Sequence, residues 1–253
     1  MAAPDKPRQG TLVLVPNALD FGAPELVGLD AHLPLAVIQR AATLTHWVVE
    51  NAKTARAFLK RVAALAPLAA PLQALAMVEL QRIPPGAAEL ATLLRPAQNG
   101  HDIGLLSEAG LAAVADPGAA LVAHAHGLGI AVDPLPGASS LMLALAASGL
   151  NGQHFAFVGY LPVPDDARAA RIRELDAWSK RSGQTQIAIE TPYRNTALFS
   201  AMLKHLAPST RLSVACAIGW PAGWCKTHTV GQWRQTAPSL DDRLPAVYLF
   251  HAG

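Results

Sequence analysis

The chain has 253 residues, of which 51% are apolar and only 15% charged, which excludes a disordered chain and leaves core enough for one large domain or two small ones. A net charge of +2 excludes the strongly basic signature of an overt nucleic-acid binder, although a local cleft can be basic while the whole is nearly neutral. Two cysteines, Cys216 and Cys225, make neither a disulfide framework nor a zinc site by themselves, which points to free thiols in a reducing cytoplasm.

In chain order, the opening MAAPDKPRQG lacks the apolar segment of a secretory signal. Thr11–Val15 (TLVLV) reads as a strand that ends in Pro16-Asn17. His46–Val49 (HWVV) is a second strand, ended by Glu50-Asn51 and followed by a helix near Ala52–Leu65. The longest uncharged run, Val62–Val78, is interrupted by Pro67 and Pro71 and reads as buried structure of a soluble protein rather than a membrane span. Leu72–Leu80 leaves open whether it contains a strand. Pro85–Leu94 reads as a helix with Pro85 near its first turn. Ile103–Leu106 is a strand, Gly118–His126 a helix stopped near Gly127 or Gly129, and Ile130–Val132 a strand. Strands alternating with helices predict a parallel sheet covered by helices.

The texture changes after Pro134-Leu135-Pro136-Gly137, which places a domain boundary near residue 136. Residues 10–136 form an expected N-terminal α/β domain and residues 137–253 a C-terminal one. Ser139–Ser148 is an alanine- and leucine-rich helix ended by Gly149. Strands follow at Phe155–Gly159 and Thr185–Glu190, with a helix near Asp166–Lys180 between them and another at Pro192–Leu206. Strands at Leu212–Ile218, Thr227–Gly231 and Ala246–His251 have no long helix between them, which predicts a mixed sheet with antiparallel members.

Ligands of open α/β sheets bind beyond the carboxyl ends of strands, and four such ends here carry unusual residues: Pro16-Asn17, Glu50-Asn51, Ser107–Gly110 and Glu190–Tyr193. Gly110 permits close backbone approach or positive φ. Asp116 and Pro117 suit a helix cap and first turn. Pro136-Gly137-Ala138-Ser139-Ser140 opens a helix whose free N–H groups can receive polar ligand atoms, or is an ordinary helix start. Neither loop matches a dinucleotide-binding or Walker A pattern.

Together SEAGLAAVADPG, PGASSLMLALAASGL, FAFVGYLP and IETPYRN are more specific than any one of them. In this order they resemble the tetrapyrrole methylase superfamily of S-adenosylmethionine-dependent methyltransferases, and within it the ribosomal RNA small-subunit methyltransferase I group, which methylates a cytidine 2′-hydroxyl. The likeness runs from about Gly10 to the C-terminus and is densest over Ile103–Pro162. The resemblance implies two α/β domains with a cofactor cleft between them, S-adenosyl-L-methionine folded in that cleft, and a cytoplasmic homodimer. It matches Pro16 to the loop after the first strand. Ser107, Glu108, Ala109 and Gly110 match the loop beneath the cofactor, and Ala115 and Asp116 its far end. Pro136, Gly137, Ala138, Ser139 and Ser140 match the interdomain segment, Tyr160 an aromatic-Gly-Pro loop, and Pro192 and Tyr193 a strand-ending motif of the second domain. Glu50, with Arg56, matches an acidic motif on the substrate side.

The sequence departs from the family pattern in three places. Pro16-Asn17-Ala18-Leu19 stands where Pro-Ile-Gly-Asn is usual, Asn51 replaces an aspartate while the arginine moves on to Arg56, and Glu108–Ala112 replaces Asp-Ala-Gly-Thr-Pro.

Methyl transfer from a sulfonium is a direct displacement that needs alignment and exclusion of water, with no metal or covalent nucleophile. Glu50 is the candidate base for a hydroxyl acceptor, with an ion pair to Lys53 or Arg56 as its equal alternative. Glu190 and Arg194 read as another such pair. His124 and His126 lie two apart on a helix and cannot share one ion. His101-Asp102 reads as part of a turn. The cations Arg168, Arg171, Arg173, Lys180 and Arg181 read first as a solvated mixed-charge face and second as an RNA-facing edge. Trp220, Trp224 and Trp233 read as packing or a dimer contact. Three functions follow for comparison: methylation of ribosomal RNA, methylation of a small molecule such as a tetrapyrrole, and cofactor binding without catalysis. No membrane or metal is expected in any of them.

Overall fold

The structure, a computed structural model, describes residues 8–253 except 21, 24, 81–85, 237 and 239. It divides into two compact units, one ending at Ser139 and the other beginning at Ser140, three residues beyond the expected boundary.

In the first unit, strands β1 (Thr11–Val15), β2 (His46–Val49), β3 (Ala76–Glu79), β4 (Ile103–Leu106) and β5 (Ala131–Pro134) form a sheet in the order β3-β2-β4-β1-β5, every pair parallel. The edge strands β3 and β5 are largely exposed, while the three inner strands, β2, β4 and β1, are almost continuously apolar because both faces are covered there. Alternation along β1 shows it: Val13 faces Ile38, Trp47, Phe58 and Leu59, whereas Leu12 faces Leu90, Leu94, Leu105 and Leu121. The first face is covered by helices α1 (Leu35–Ala42) and α2 (Ala52–Ala63), the second by α3 (Ala87–Gln98) and α4 (Ala119–Gly127). Gly104 on β4 makes room for Trp47, since a Cβ there would lie 2.6 Å from the indole ring.

Several expectations change here. Helix α1 is additional. It follows Pro34 and buries Val37, Ile38, Ala41 and Ala42 on one face, yet has no acidic residue in its first turn to announce it. The ambiguous run resolves into a 3-10 turn, Leu72–Ala74, and then β3. Helix α3 begins at Ala87, and Pro85 lies outside the described residues. Helix α4 begins at Ala119 with Gly118, at φ +137°, as its N-cap, so Asp116 does not hold the cap position and Pro117 precedes the first turn. Asp102 is more than a turn residue: it accepts from the Thr11 N–H at 2.8 Å and from Arg40 at 2.7 Å, tying β1 to α1.

The second unit holds helix α5 (Ser140–Ser148), strand β6 (Phe155–Tyr160), helix α6 (Asp165–Ser182), strand β7 (Thr185–Glu190), helix α7 (Asn195–His205), strands β8 (Arg211–Cys216) and β9 (Trp224–Thr229), helix α8 (Val230–Thr236) and strand β10 (Ala246–His251). Its sheet, β6-β7-β10-β8-β9, is mixed as expected: β6 runs parallel to β7, and the remaining pairs are antiparallel. Leu141 and Leu145 of α5 pack with Ile187 and Leu249 on one face. Ile172, Phe199, Met202 and Trp233 pack with Ala188 and Tyr248 on the other.

The expected Pro192–Leu206 helix starts as a 3-10 turn, Pro192–Arg194, before α7. The expected strand at Thr227–Gly231 ends at Thr229, and α8 follows, because Val230 and Trp233 turn inward with helical rather than alternating spacing. The Trp233 indole donates to the Leu212 carbonyl at 2.7 Å and meets Phe199 edge-on, so it is core. Cys216 and Cys225 are free thiols, and burial pushes the Cys216 thiol up. On α6, Arg168 pairs with Asp165 and Arg171 with Glu174, the mixed-charge face that the sequence favours.

Candidate functional site at the carboxyl edge of the parallel sheet

Because all five strands of the first unit run parallel, their carboxyl ends share one edge. That edge gathers Asn17 after β1, Glu50 after β2, Glu79 at the end of β3, Ser107–Gly110 after β4 and Pro136–Ser139 after β5.

Asn17, one of the departures from the family pattern, organises this edge. Its backbone N–H donates to the Gly110 carbonyl at 2.8 Å, closing an isolated antiparallel bridge. Its buried side-chain amide donates to the Ser107 carbonyl at 3.1 Å and the Glu108 carbonyl at 3.0 Å, while its oxygen accepts from the Ala18 N–H. One residue thus ties down three positions of the turn after β4, Ser107, Glu108 and Gly110. An asparagine one position after a strand-ending proline is the signal that marks this clamp.

The loop so held is strained. Gly110 has φ +68°, and Ala113 and Ala115 take left-handed values of +65° and +63°. Such conformations in residues with a Cβ are costly and collect at functional loops. Gly110 is buried, and a Cβ on it would make ordinary contacts with Leu19 at 3.5 Å and the Ala138 carbonyl at 3.7 Å, so its positive φ rather than crowding calls for glycine. Gly137 differs: a Cβ would lie 2.3 Å from Pro16, so glycine lets the segment after β5 close on the loop after β1. Pro16, Ser107, Glu108, Ala109, Gly110, Gly137 and Ala138 therefore lie along one edge. Ser107 is buried, Glu108 and Ala109 are half-buried, and Pro136 and Gly137 are exposed. Ala115 is exposed and Asp116 half-buried at the far end of the loop, and Ser139 closes the unit.

Glu50 accepts the Glu108 N–H at 3.2 Å, so this carboxylate is joined to the same loop. Glu79 accepts the Ala52 N–H at 2.7 Å at the start of α2, which Asn51 caps through the N–H groups of Lys53 and Thr54. Arg56 lies exposed on α2, its guanidinium on the Ala52 carbonyl at 3.4 Å. Asp20 and Arg61, which the sequence did not single out, form a bidentate pair at 3.0 and 2.7 Å, and Arg61 also reaches the Val27 carbonyl. With Asn17, Leu26, Phe58 and Glu108 they line a cavity of about 200 Å³.

In the second unit, Ser140 opens α5 and Tyr160 is exposed at the end of β6. Pro192 begins the turn after β7, and Tyr193 is exposed with the Arg194 guanidinium 5.5 Å from its ring centre. Glu190 is buried and accepts from Arg194 at 2.8 and 3.1 Å and from the Thr191 N–H at 2.7 Å, the pairing expected for it. Among the described residues no cluster of three metal-ligating side chains occurs, and no helix is long and apolar enough to cross a membrane.

A parallel unit with strained carboxyl-edge loops, followed by a mixed unit, is the two-domain α/β fold of the tetrapyrrole methyltransferases. The chain belongs to the family of Tetrapyrrole (Corrin/Porphyrin) Methylases, whose sequence profile matches residues 22–232. It is 39% identical over 97 residues to the ribosomal RNA small subunit methyltransferase I of Pseudomonas aeruginosa, covering 38% of this chain and 33% of that protein. It is 37% identical over 122 residues to the protein of the same name from Mesorhizobium japonicum, covering 48% and 40%. The matches thus span about a third to two fifths of these curated relatives. Among solved structures, the uroporphyrin-III C-methyltransferase of Thermus thermophilus complexed with S-adenosylhomocysteine is similar in fold, with a TM-score of 0.51, 20% identity and coverage of 96% of this chain and 97% of that one.

Proposed function

We propose that this protein is an S-adenosyl-L-methionine-dependent methyltransferase that acts on ribosomal RNA, at the 2′-hydroxyl of a cytidine, as a cytoplasmic homodimer. The observation that carries the cofactor half of this reading is the turn after β4, clamped by Asn17 and left-handed at Gly110. The residues fit the group: the turn holds Gly110 left-handed at φ +68°, and Gly137 lets the segment after β5 close on Pro16, a contact that any Cβ would block. Pro16, Ser107, Glu108, Ala109, Gly110, Ala115, Asp116, Pro136, Gly137, Ala138 and Ser139, all in the first unit, would hold it. The RNA half rests on the names of the curated relatives.

When bound, the cofactor supplies a methyl group already activated by its sulfonium. The chain's work is to align the acceptor oxygen and exclude water. Glu50, oriented by the Glu108 N–H, takes the proton of the acceptor hydroxyl, and Arg56 acts on the substrate side. Incubation of the protein and labelled donor with ribosomes from a strain lacking it tests this, with label expected in a ribosomal cytidine. A second reading, methylation of a tetrapyrrole, is favoured by the names of the solved relatives. Label in small-molecule extracts instead of RNA would establish that one.

A further inference from the structure

Helix α2 carries Lys53, Arg56, Lys60 and Arg61 and no acidic residue. Arg61 is taken by Asp20. The other three open onto a groove of about 470 Å³, lined among the described residues by Lys53, Arg56, Ala57, Lys60, Leu72 and Gln73, with no carboxylate. We infer that this groove is the track for the phosphodiester backbone of a single-stranded RNA, an inference that rests on the RNA reading above.

Helix stability accounts for only part of this charge: Lys60 and Arg61 lie in the last turn, where the dipole favours cations, but Lys53 does not. Lys53 is the second residue of α2, where the helix dipole disfavours positive charge. Lys53 and Arg56 are three apart and Arg56 and Lys60 four apart, so like charges face one another along one stripe. The cost is relieved by an anion with regularly spaced charges. Lys53 and Lys60 lie about 10 Å apart along the axis, a span for successive phosphates rather than one small anion. Gln73 adds a polar side chain to the lining, and Leu72 and Ala57 add apolar surface for a ribose or base face. The stripe starts three residues after Glu50, so a strand on it is led to the carboxyl edge of the sheet. Two of the cations of α6, Arg168 and Arg171, lack this character, since Asp165 and Glu174 on the same helix neutralise them.

The test is fluorescence polarisation of a labelled single-stranded RNA of mixed sequence across a salt series, on wild type, Lys53→Gln/Lys60→Gln and Lys53→Arg/Lys60→Arg. Each lost phosphate contact makes the slope of log affinity against log salt shallower by about 0.7, so the glutamine pair flattens it by about 1.4 while the arginine pair keeps it. Both pairs retain the wild-type thermal transition and S-adenosylhomocysteine affinity by calorimetry, because both side chains are exposed. RNA binding with an unchanged slope in the glutamine pair overturns the groove and leaves the RNA reading standing. A wild type that binds no RNA but methylates a tetrapyrrole overturns both, and loss of an acidic protein partner instead of RNA overturns the groove's assignment to nucleic acid.

Discussion

The side-chain amide of Asn17 donates to two successive carbonyls, those of Ser107 and Glu108, 90 and 91 residues further along the chain. Leucine at this position would leave both carbonyls without these donors, and aspartate would face them with an acceptor. Asn17→Leu and Asn17→Asp should each lower stability by about 2–3 kcal/mol in urea unfolding. Aspartate, nearly isosteric, should be no better than leucine, which separates loss of the donor from loss of shape. Both should weaken S-adenosylhomocysteine binding, because the turn loses its anchor. An aspartate variant with native stability would show that the clamp does not hold the turn.

Gly110 tests the conformation of that turn. An added methyl has room, with its nearest contacts at 3.5 and 3.7 Å, so the cost of Gly110→Ala comes from φ +68° and should be about 1–2 kcal/mol. Gly110→Val adds β-branching and should abolish cofactor binding. Ala115→Gly removes a Cβ from an equally left-handed residue, at φ +63°, against a gain in unfolded-chain entropy, and should stay within about 0.5 kcal/mol of wild type. A thermal-shift series on the three variants checks the order.

The strands at Thr11–Val15, His46–Val49 and Ile103–Leu106 were legible with their ends unchanged, because each is a mostly apolar run bounded by turn-forming or polar residues, Gly10 and Pro16, Thr45 and Glu50, Asp102 and Ser107. That the loops after β1, β2 and β4 would lie together was legible as well, because strand ends in a parallel sheet share an edge. What stayed hidden depends on tertiary pairing. Helix α1 has no capping signal. The role of Asn17 requires knowing that β1 and β4 are neighbours. Asp20 and Arg61, 41 residues apart, look like ordinary surface charges until the chain closes on itself.

Asp20 is nearly inaccessible, and Arg61 is its bidentate partner. Asp20→Ala leaves the guanidinium without its counter-charge and should cost about 3–5 kcal/mol. Asp20→Leu/Arg61→Met removes both charges and should recover much of that loss. A double-mutant cycle in urea reads the coupling, and an Asp20→Ala protein within error of wild type would place the pair at the surface energetically.

Stability at acid pH should depend on Asp102. Burial pushes its carboxyl up, but the Arg40 side chain, the Thr11 N–H and the Arg40 and Arg8 charges outweigh that and hold it below the ordinary value of 3.8. A depressed native pKa stabilises above the unfolded value, and the contribution fades as pH falls through the native one. Wild type should therefore lose stability below about pH 4 from this group, and Asp102→Asn should flatten that part of the curve. Thermal midpoints across an acid pH series compare the two; parallel curves would remove Asp102 from the acid response.

Glu50→Gln separates two roles of one residue. The amide oxygen of glutamine can still accept the Glu108 N–H that the carboxylate accepts at 3.2 Å, so the turn should keep its place and cofactor affinity should be unchanged. It cannot take a proton, and turnover should fall by about 10²–10⁴-fold. Glu50→Ala removes both functions and should weaken cofactor binding as well. Single-turnover transfer with saturating donor reads the chemical step apart from binding. If Glu50→Gln transfers methyl at the wild-type rate while Glu50→Ala fails to bind donor, the carboxylate serves only to position the turn, and the acceptor's proton leaves by another route.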